Sequence, residues 1–341
     1  MSHSRLWMLG AALSAMSALS FAPARADNPK MIIYVSPAPL GVNPFLIMGK
    51  TGTETVAKKF GAKTRTYEPK DPTTRKQDIE AAVRDGADIV VVLGFEFGDI
   101  IPDVAAKNPN TKFLIVDQCV KDPGPNVYCS VFREYEGSYI VGAEAALTSK
   151  TGKVGVIAAL DIPFLHRYSD AYEDGAKAAR PDVKISKMLV VGGENPFGDP
   201  VRAEQQTQAM LADGADRIYS AAGGGFGGIF KAAKEKGALA VGVDVNQCPL
   251  APGAVLDNME KRVDNALVQA VEGIVAGTQQ HVVAYGLKEG GLSLTSLDDN
   301  LADSKCEIAK FPDVVKKAHE LADDIGSGKI KLADPMMNPR K

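Results

Sequence analysis

The sequence predicts an α/β protein built as two doubly wound lobes of parallel sheet, and three observations predict it. Short apolar, β-branched runs alternate with amphipathic helical stretches along most of the chain, the order that lays strands parallel with helices on both faces. The strand candidates at 89–94 and 154–160 are nearly unbroken apolar runs, as sheets covered on both sides require. The chain also repeats itself: "TKFLIVDQCV" (111–120) returns as "ALAVGVDVNQC" (238–248), and "AAVRDGADIVVVLGF" (81–95) returns as "AMLADGADRIYSAAG" (209–223). Each half therefore sets an aspartate, Asp117 or Asp244, at the same point, the end of a strand.

Taken in order, "MIIYVSP" (31–37) is the first strand and "FLIMGKTGTETVAKKFG" (45–61) the first helix, amphipathic and closed by a glycine. "KTRTYEP" (63–69) is a second strand, and "TRKQDIEAAVRDG" (74–86) a helix that again stops on glycine. The apolar strand "ADIVVVLGF" (87–95), the helix "DIIPDVAAKNP" (99–109) and the strand "KFLIVDQ" (112–118) follow. After the short strand "NVYCSVF" (126–132) and the helix "YEGSYIVGAEAALTS" (135–149), the cycle restarts with the strand "GKVGVIAAL" (152–160). It continues through the helix "HRYSDAYEDGAKAAR" (166–180), the strand "DVKISKMLVV" (182–191) and the helix "RAEQQTQAMLADG" (202–214). The strand "DRIYSAAG" (216–223), the helix "GIFKAAKEKG" (228–237) and the strand "ALAVGVDV" (238–245) complete the second set.

The 341 residues, 45% hydrophobic and 24% charged, leave room for two domains of roughly 130–150 residues. Residues 1–26 read separately, as an export signal: Arg5, an apolar run from Leu6 to Phe21, then Ala24-Arg25-Ala26 with cleavage expected after Ala26. The run is shorter than the ~20 residues a membrane span needs, and Gly10, Ser14 and Ser17 interrupt it. With no cysteine after the cleavage point, a lipid anchor is not expected. The remaining chain carries 37 basic and 42 acidic residues, a balance that offers nucleic acid no footing.

Four cysteines, Cys119, Cys129, Cys248 and Cys306, survive that cleavage and would meet an oxidising compartment, where an even count favours two disulfides among three pairings. No pair has the C-x2-C spacing of a metal site, and no metal is expected. Gly223, Gly225 and Gly228 satisfy G-x-G-x-x-G, the dinucleotide fingerprint, but deep in the second half rather than at the first βα turn. The preferred reading is that these glycines let backbone N–H groups approach a ligand in the cleft. No GxxxxGK[ST], HExxH or GxSxG occurs, so no catalytic residue and no cofactor is expected. Ligands of open parallel sheets bind beyond the carboxyl ends of the strands, where Asp117 and Asp244 stand. Two acceptor-only carboxylates converging on one cleft suit paired hydroxyl donors, and the vicinal diol of a sugar ring is the natural guest.

The segments "NVYCSVFREYEGSYIVGAEAALTSKTGKVGVIAALDIPFLHRYSDAYEDGAKAA", "VGVDVNQC", "VLDNMEKRVDNALV" and "YGLKEGG" resemble the basic membrane protein family, the nucleoside-type substrate-binding proteins of ABC importers, over about residues 30–290. The resemblance implies a type I periplasmic binding protein fold, two lobes joined by a hinge that close on a ligand. It implies lobe 1 from 27–132 plus 254–284, and lobe 2 from 133–253 plus 285–341. The first loop, "PAPLGVNPFL", departs from the family, with Pro39 and Val42 where an acid and a stacking ring would fall. Its Asn43-Pro44-Phe45 is instead similar to the loop of ribose-type sugar-binding proteins, in which Asn bonds hydroxyls and Phe packs on the ring.

Carried over residue by residue, the resemblance makes Asp117 and Asp244 the acids that hold ribose hydroxyls, while Arg167 falls where ribose-type sugar-binding proteins place a cleft arginine. It makes Asn258 and Lys261 the polar group and lysine near the hinge, and Phe197 the ring that stacks on a base. The implied function is a non-enzymatic, monomeric binding protein of the periplasm. It would deliver a nucleoside, or alternatively a free pentose or other sugar, to an ABC permease and its ATPase at the inner membrane. An exported α/β enzyme acting on nucleosides or sugars is the competing class. Because lobes that part cannot be stapled together, Cys119 is expected to pair with Cys129 and Cys248 with Cys306.

Overall fold

The computed structural model describes residues 28–340, and the expected export signal at 1–26 lies outside the described residues. The first lobe opens with β1 (Met31–Val35), α1 (Pro44–Phe60), β2 (Lys63–Tyr67), α2 (Arg75–Arg84), β3 (Ile89–Leu93), α3 (Ile101–Lys107), β4 (Lys112–Val116) and β5 (Val127–Phe132). The second holds α4 (Glu134–Thr148), β6 (Lys153–Ala158), α5 (Pro163–Ala179), β7 (Lys184–Ile185), β8 (Leu189–Val190), α6 (Pro200–Ala212), β9 (Arg217–Ala221), α7 (Phe226–Glu235), β10 (Leu239–Asp244) and β11 (Val255–Lys261). The chain returns to the first lobe for α8 (Val263–Ala276) and β12 (Val282–Tyr285), then crosses back for β13 (Leu292–Leu294) and α9 (Pro312–Gly326).

The first sheet has six strands in the order β12-β5-β4-β3-β1-β2, every neighbour parallel. The second runs β13-β11-β10-β9-β6-β7, with β8 also on β6 and only β13 antiparallel. Successive residues of one strand enter different layers, as the two-residue strand period demands. Ile33, Val35, Val90 and Val92 pack into one apolar cluster, while Ile32, Tyr34, Ile89 and Val91 pack into another. Both faces of the first sheet are thus covered, which is why its central strands read as unbroken apolar runs.

The sequence repeat is a backbone repeat. Asp85 and Asp213 cap the ends of α2 and α6, and the glycines after them, Gly86 and Gly214, take left-handed φ of 84° and 93°. Glycine ends a helix in this way without a Cβ penalty. Asp117 and Asp244 also share a left-handed backbone, at φ 79° and 73°.

Two details differ from the sequence-based expectation. The run 182–191 forms two short strands, because β6 advances three residues between Val154 and Ile157 while its partner advances four, from Ile185 to Leu189. The extra residue is a bulge that breaks the edge. The return to lobe 1, expected at 254, falls instead at Arg262. β11 stays in the second sheet, pairing parallel with β10 and antiparallel with β13.

Candidate ligand-binding site

Asp117 directly follows β4 and Asp244 ends β10, and a left-handed turn at each directs the chain off the sheet. For a non-glycine residue this conformation costs roughly 1–2 kcal/mol, least for Asp or Asn. Both carboxylates line one cavity of about 670 Å³ between the lobes. Asn43 and Phe45 enter it from the start of α1, where the Asn43 side chain caps the helix by accepting the Phe45 N–H at 3.1 Å. Phe197 enters from the loop before α6, and Lys261 from the last position of β11. Six of the eight residues expected in the site are therefore brought together.

Lys261 organises the floor. Its ammonium is fully buried, ion-paired to Asp117, 3.1 Å from the Glu134 carboxylate, and donates to the Tyr168 hydroxyl at 3.1 Å. The rings of Phe45, Phe132, Phe164 and Tyr168 surround it with centroids 5.1–5.7 Å away, a set of cation–π contacts strengthened by the loss of water. Burial alone would lower the lysine pKa, but Asp117, Glu134 and Asp244 together raise it, so the cation persists. Burial raises Asp117 despite Lys261, and the Glu134 charge adds to the effect. Burial likewise pushes Asp244 up to about 6, Lys261 offsetting part of it and Glu134 adding to it. The site thus offers acceptors and one cation to a guest rich in hydroxyl groups.

Arg167 and Asn258 do not line the cavity, and both expectations are corrected. The Arg167 guanidinium faces the back of α5, donating to Asp334 at 2.9 and 2.6 Å and to the Phe132 carbonyl at 3.2 Å. At one hundred degrees per helical residue, the cleft face of α5 instead carries Phe164 and Tyr168, four apart, with Leu165 beside them. Asn258 is consumed by the loop after β10. Its carbonyl accepts the Gln247 N–H at 3.1 Å, and its amide donates to Thr295 at 3.1 Å beside the Cys248 and Cys306 sulfurs.

The residues missed were Glu134, Phe164 and Tyr168, with Phe95 at the cavity mouth, where its ring lies 6.2 Å from that of Phe197 across the cleft. The four-residue spacing of Phe164 and Tyr168 was a usable signal. Glu134, one acid in the polar stretch "FREYE", carried none. The glycine motif divides its labour. Gly223 and Gly224 line the cavity, with the Gly224 N–H taken by the Phe197 carbonyl at 2.8 Å, whereas Gly228 lies against the Pro200 backbone, where no side chain fits.

The disulfides pair Cys119 with Cys129 and Cys248 with Cys306, at Cα separations of 5.2 and 5.0 Å. Each lies within one lobe.

Comparison with known proteins agrees with this architecture. A sequence profile described as "ABC transporter substrate-binding protein PnrA-like" matches residues 30–318. Basic membrane protein A of Borreliella burgdorferi is 34% identical over 220 residues, covering 62% of this chain and 64% of that protein. The CD4+ T-cell-stimulating antigen of Listeria monocytogenes is 29% identical over 279 residues, 76% of this chain and 74% of that one. The match thus spans just under two thirds of the Borreliella relative's length. Among solved structures, an ABC transporter system solute-binding protein from Aeropyrum pernix superposes with a TM-score of 0.78 at 26% identity, covering 90% of this chain and 94% of the other. The fold is that of the type I periplasmic binding proteins.

Proposed function

The chain belongs to the Bmp family of PnrA-like ABC transporter substrate-binding proteins, and from that premise we propose that it captures a ribose-containing small molecule, a nucleoside first and a free pentose second. It acts in the periplasm as a monomer, after cleavage following Ala26, and hands its ligand to an ABC permease. The observation that carries this reading is the placement of Asp117 and Asp244, matched strand-end acids from different lobes, in the wall of one cavity with Lys261 ion-paired to Asp117. The carboxylates accept from the vicinal hydroxyls of the sugar, and the buried ammonium, its donors directed at Asp117, Glu134 and Tyr168, holds Asp117 in place for them. Phe45 and Phe197 supply flat apolar surface for a ring, as binding pockets commonly do around a few fixed polar groups. Closure of the two lobes on the ligand is the conformational signal the permease reads.

The test is purified protein incubated with guanosine, inosine, adenosine, ribose and other pentoses. A rise in melting temperature with the ligand recovered unchanged is expected for at least one nucleoside. Consumption of a nucleoside or sugar would instead establish an exported enzyme. No response to the whole panel would refute a ribose site.

A further inference from the structure

Behind the cavity, five charged groups of alternating sign run from the buried site outwards to the C-terminal segment. Asp117 pairs with Lys261, Lys261 lies 3.1 Å from Glu134, Glu134 lies 3.4 Å from Arg167, and Arg167 lies 2.6 Å from Asp334. Glu134 and Lys261 are completely buried, whereas Arg167 and Asp334, 14% and 18% exposed, carry the row out towards the surface. Asp334 belongs to the segment after α9 that passes over the back of α5, while Phe164, Leu165 and Tyr168 on the same helix line the cavity. We infer that Asp334 is a positioning residue for the ligand site, holding Arg167 so that Glu134 remains free to share Lys261 with Asp117.

The reasoning is electrostatic. Neighbouring charges in a water-poor interior interact far more strongly than at the surface, so each member of such a row fixes how its neighbours divide their partners. With Asp334 in place, Arg167 is satisfied by a bidentate carboxylate and the Phe132 carbonyl, and its contact with Glu134 is the longest of its bonds. Without that charge Arg167 turns its demand on Glu134, the remaining carboxylate it contacts among the described residues. Glu134 then gives less to Lys261, and the ammonium moves its demand to Asp117, the carboxylate a ligand hydroxyl needs. Asp334 lies outside the cavity lining and acts through three intervening side chains.

This inference rests on the proposed ribose site, and the experiment separates the two. Asp334→Asn is chosen because an amide oxygen still accepts the Met336 N–H that Asp334 accepts at 3.0 Å, so the local turn survives and only the charge is lost. Arg340, bound to Glu173 and Asp174 on α5, independently keeps the segment docked. Calorimetric titrations would use guanosine, inosine, adenosine and ribose on four proteins: wild type, Asp334→Asn, Glu134→Gln and the double variant, with Asp334→Glu as the conservative control. Expected is about a tenfold weakening for Asp334→Asn of whichever of the four binds best, restored to within about threefold by Asp334→Glu. In the Glu134→Gln background, where the row is already cut, Asp334→Asn should change affinity less than about twofold. An Asp334→Asn protein that binds like wild type, or that loses the same factor in both backgrounds, overturns the positioning role, since simple tail docking would cost the same with or without Glu134. A wild-type protein that binds none of the four overturns the ribose site itself.

Discussion

At the scale of single residues, the matched aspartates carry the sharpest expectation. Each hydroxyl bonded to a buried carboxylate is worth about 1.5–3 kcal/mol, so Asp117→Asn and Asp244→Asn should each weaken ligand roughly tenfold to more than a hundredfold by calorimetry. Asp244 adds a pH signature. Burial pushes it up to about 6, and only its ionised form accepts two hydroxyl bonds, so affinity should rise from pH 5 to 7, with Asp117, which burial raises further, extending the rise above neutrality. Asp244→Asn should flatten that part of the profile; an unchanged profile would remove Asp244 from the hydroxyl clamp. These two residues were legible in the sequence because a repeat marks equivalent backbone positions, and a strand end in a parallel sheet has a known relation to the cleft. Arg167 was misplaced because one residue along a helix changes its face. Tyr168, the next position, is the one that reaches Lys261.

At the scale of elements, β-branched runs and glycine stops located the strands and helices through residue 245, since those signals are local. Where β11 belonged was not legible, because sheet membership depends on pairing with β10 and β13, far apart in sequence. The pairing of β11 with α4 also buries two carboxyl groups that the binding site does not use. Glu144 on α4 and Asp257 on β11 are both buried, held on one side by the Ser296 hydroxyl at 2.8 Å and the Ser296 N–H at 3.0 Å. Burial first, and Asp257 second, raise Glu144 well above the usual carboxyl range, and burial raises Asp257 too. Unfolded, both return to about 4. The folded state therefore holds more protons than the unfolded one above that pH, and this contribution to stability, complete below about pH 4, is lost as pH rises through the folded values. Glu144→Gln keeps a neutral partner for Asp257 at all pH values. Its melting temperature should consequently fall less than that of wild type between pH 5 and 8, by about 1–2 °C for each kcal/mol involved. Parallel melting curves across that range would show that the pair does not share a proton.

At the scale of the whole molecule, the chain crosses between lobes at Arg133, at Arg262 and at 286–291, and these crossings sit beside one another. The Arg133 N–H donates to the Tyr285 carbonyl at 2.9 Å, its guanidinium reaches Glu136, Glu289 and the Ala284 carbonyl, and the Arg262 N–H donates to the Gly291 carbonyl at 2.9 Å. Adjacent crossings tied to each other form a single hinge rather than independent tethers. Neither disulfide spans it, because Cys119–Cys129 joins β5 to the loop after β4, and Cys248–Cys306 joins the loop after β10 to the segment before α9. The structure has the lobes drawn together: Phe95 meets Phe197 across the cleft, and Lys261 of the second lobe pairs with Asp117 of the first. An empty cavity lined by acceptors gains hydration by opening, whereas a ligand that bonds both lobes stabilises the closed form by its differential affinity for it. Solution scattering should therefore give ligand-free protein a larger radius of gyration than the structure, and a saturating nucleoside should bring the two into agreement. Reduction of both disulfides should lower the melting temperature, each bridge contributing about 2–4 kcal/mol, yet leave the ligand-induced contraction intact. Superimposable scattering curves with and without a ligand shown to bind, or a contraction abolished by reduction, would mean that binding does not act through this hinge.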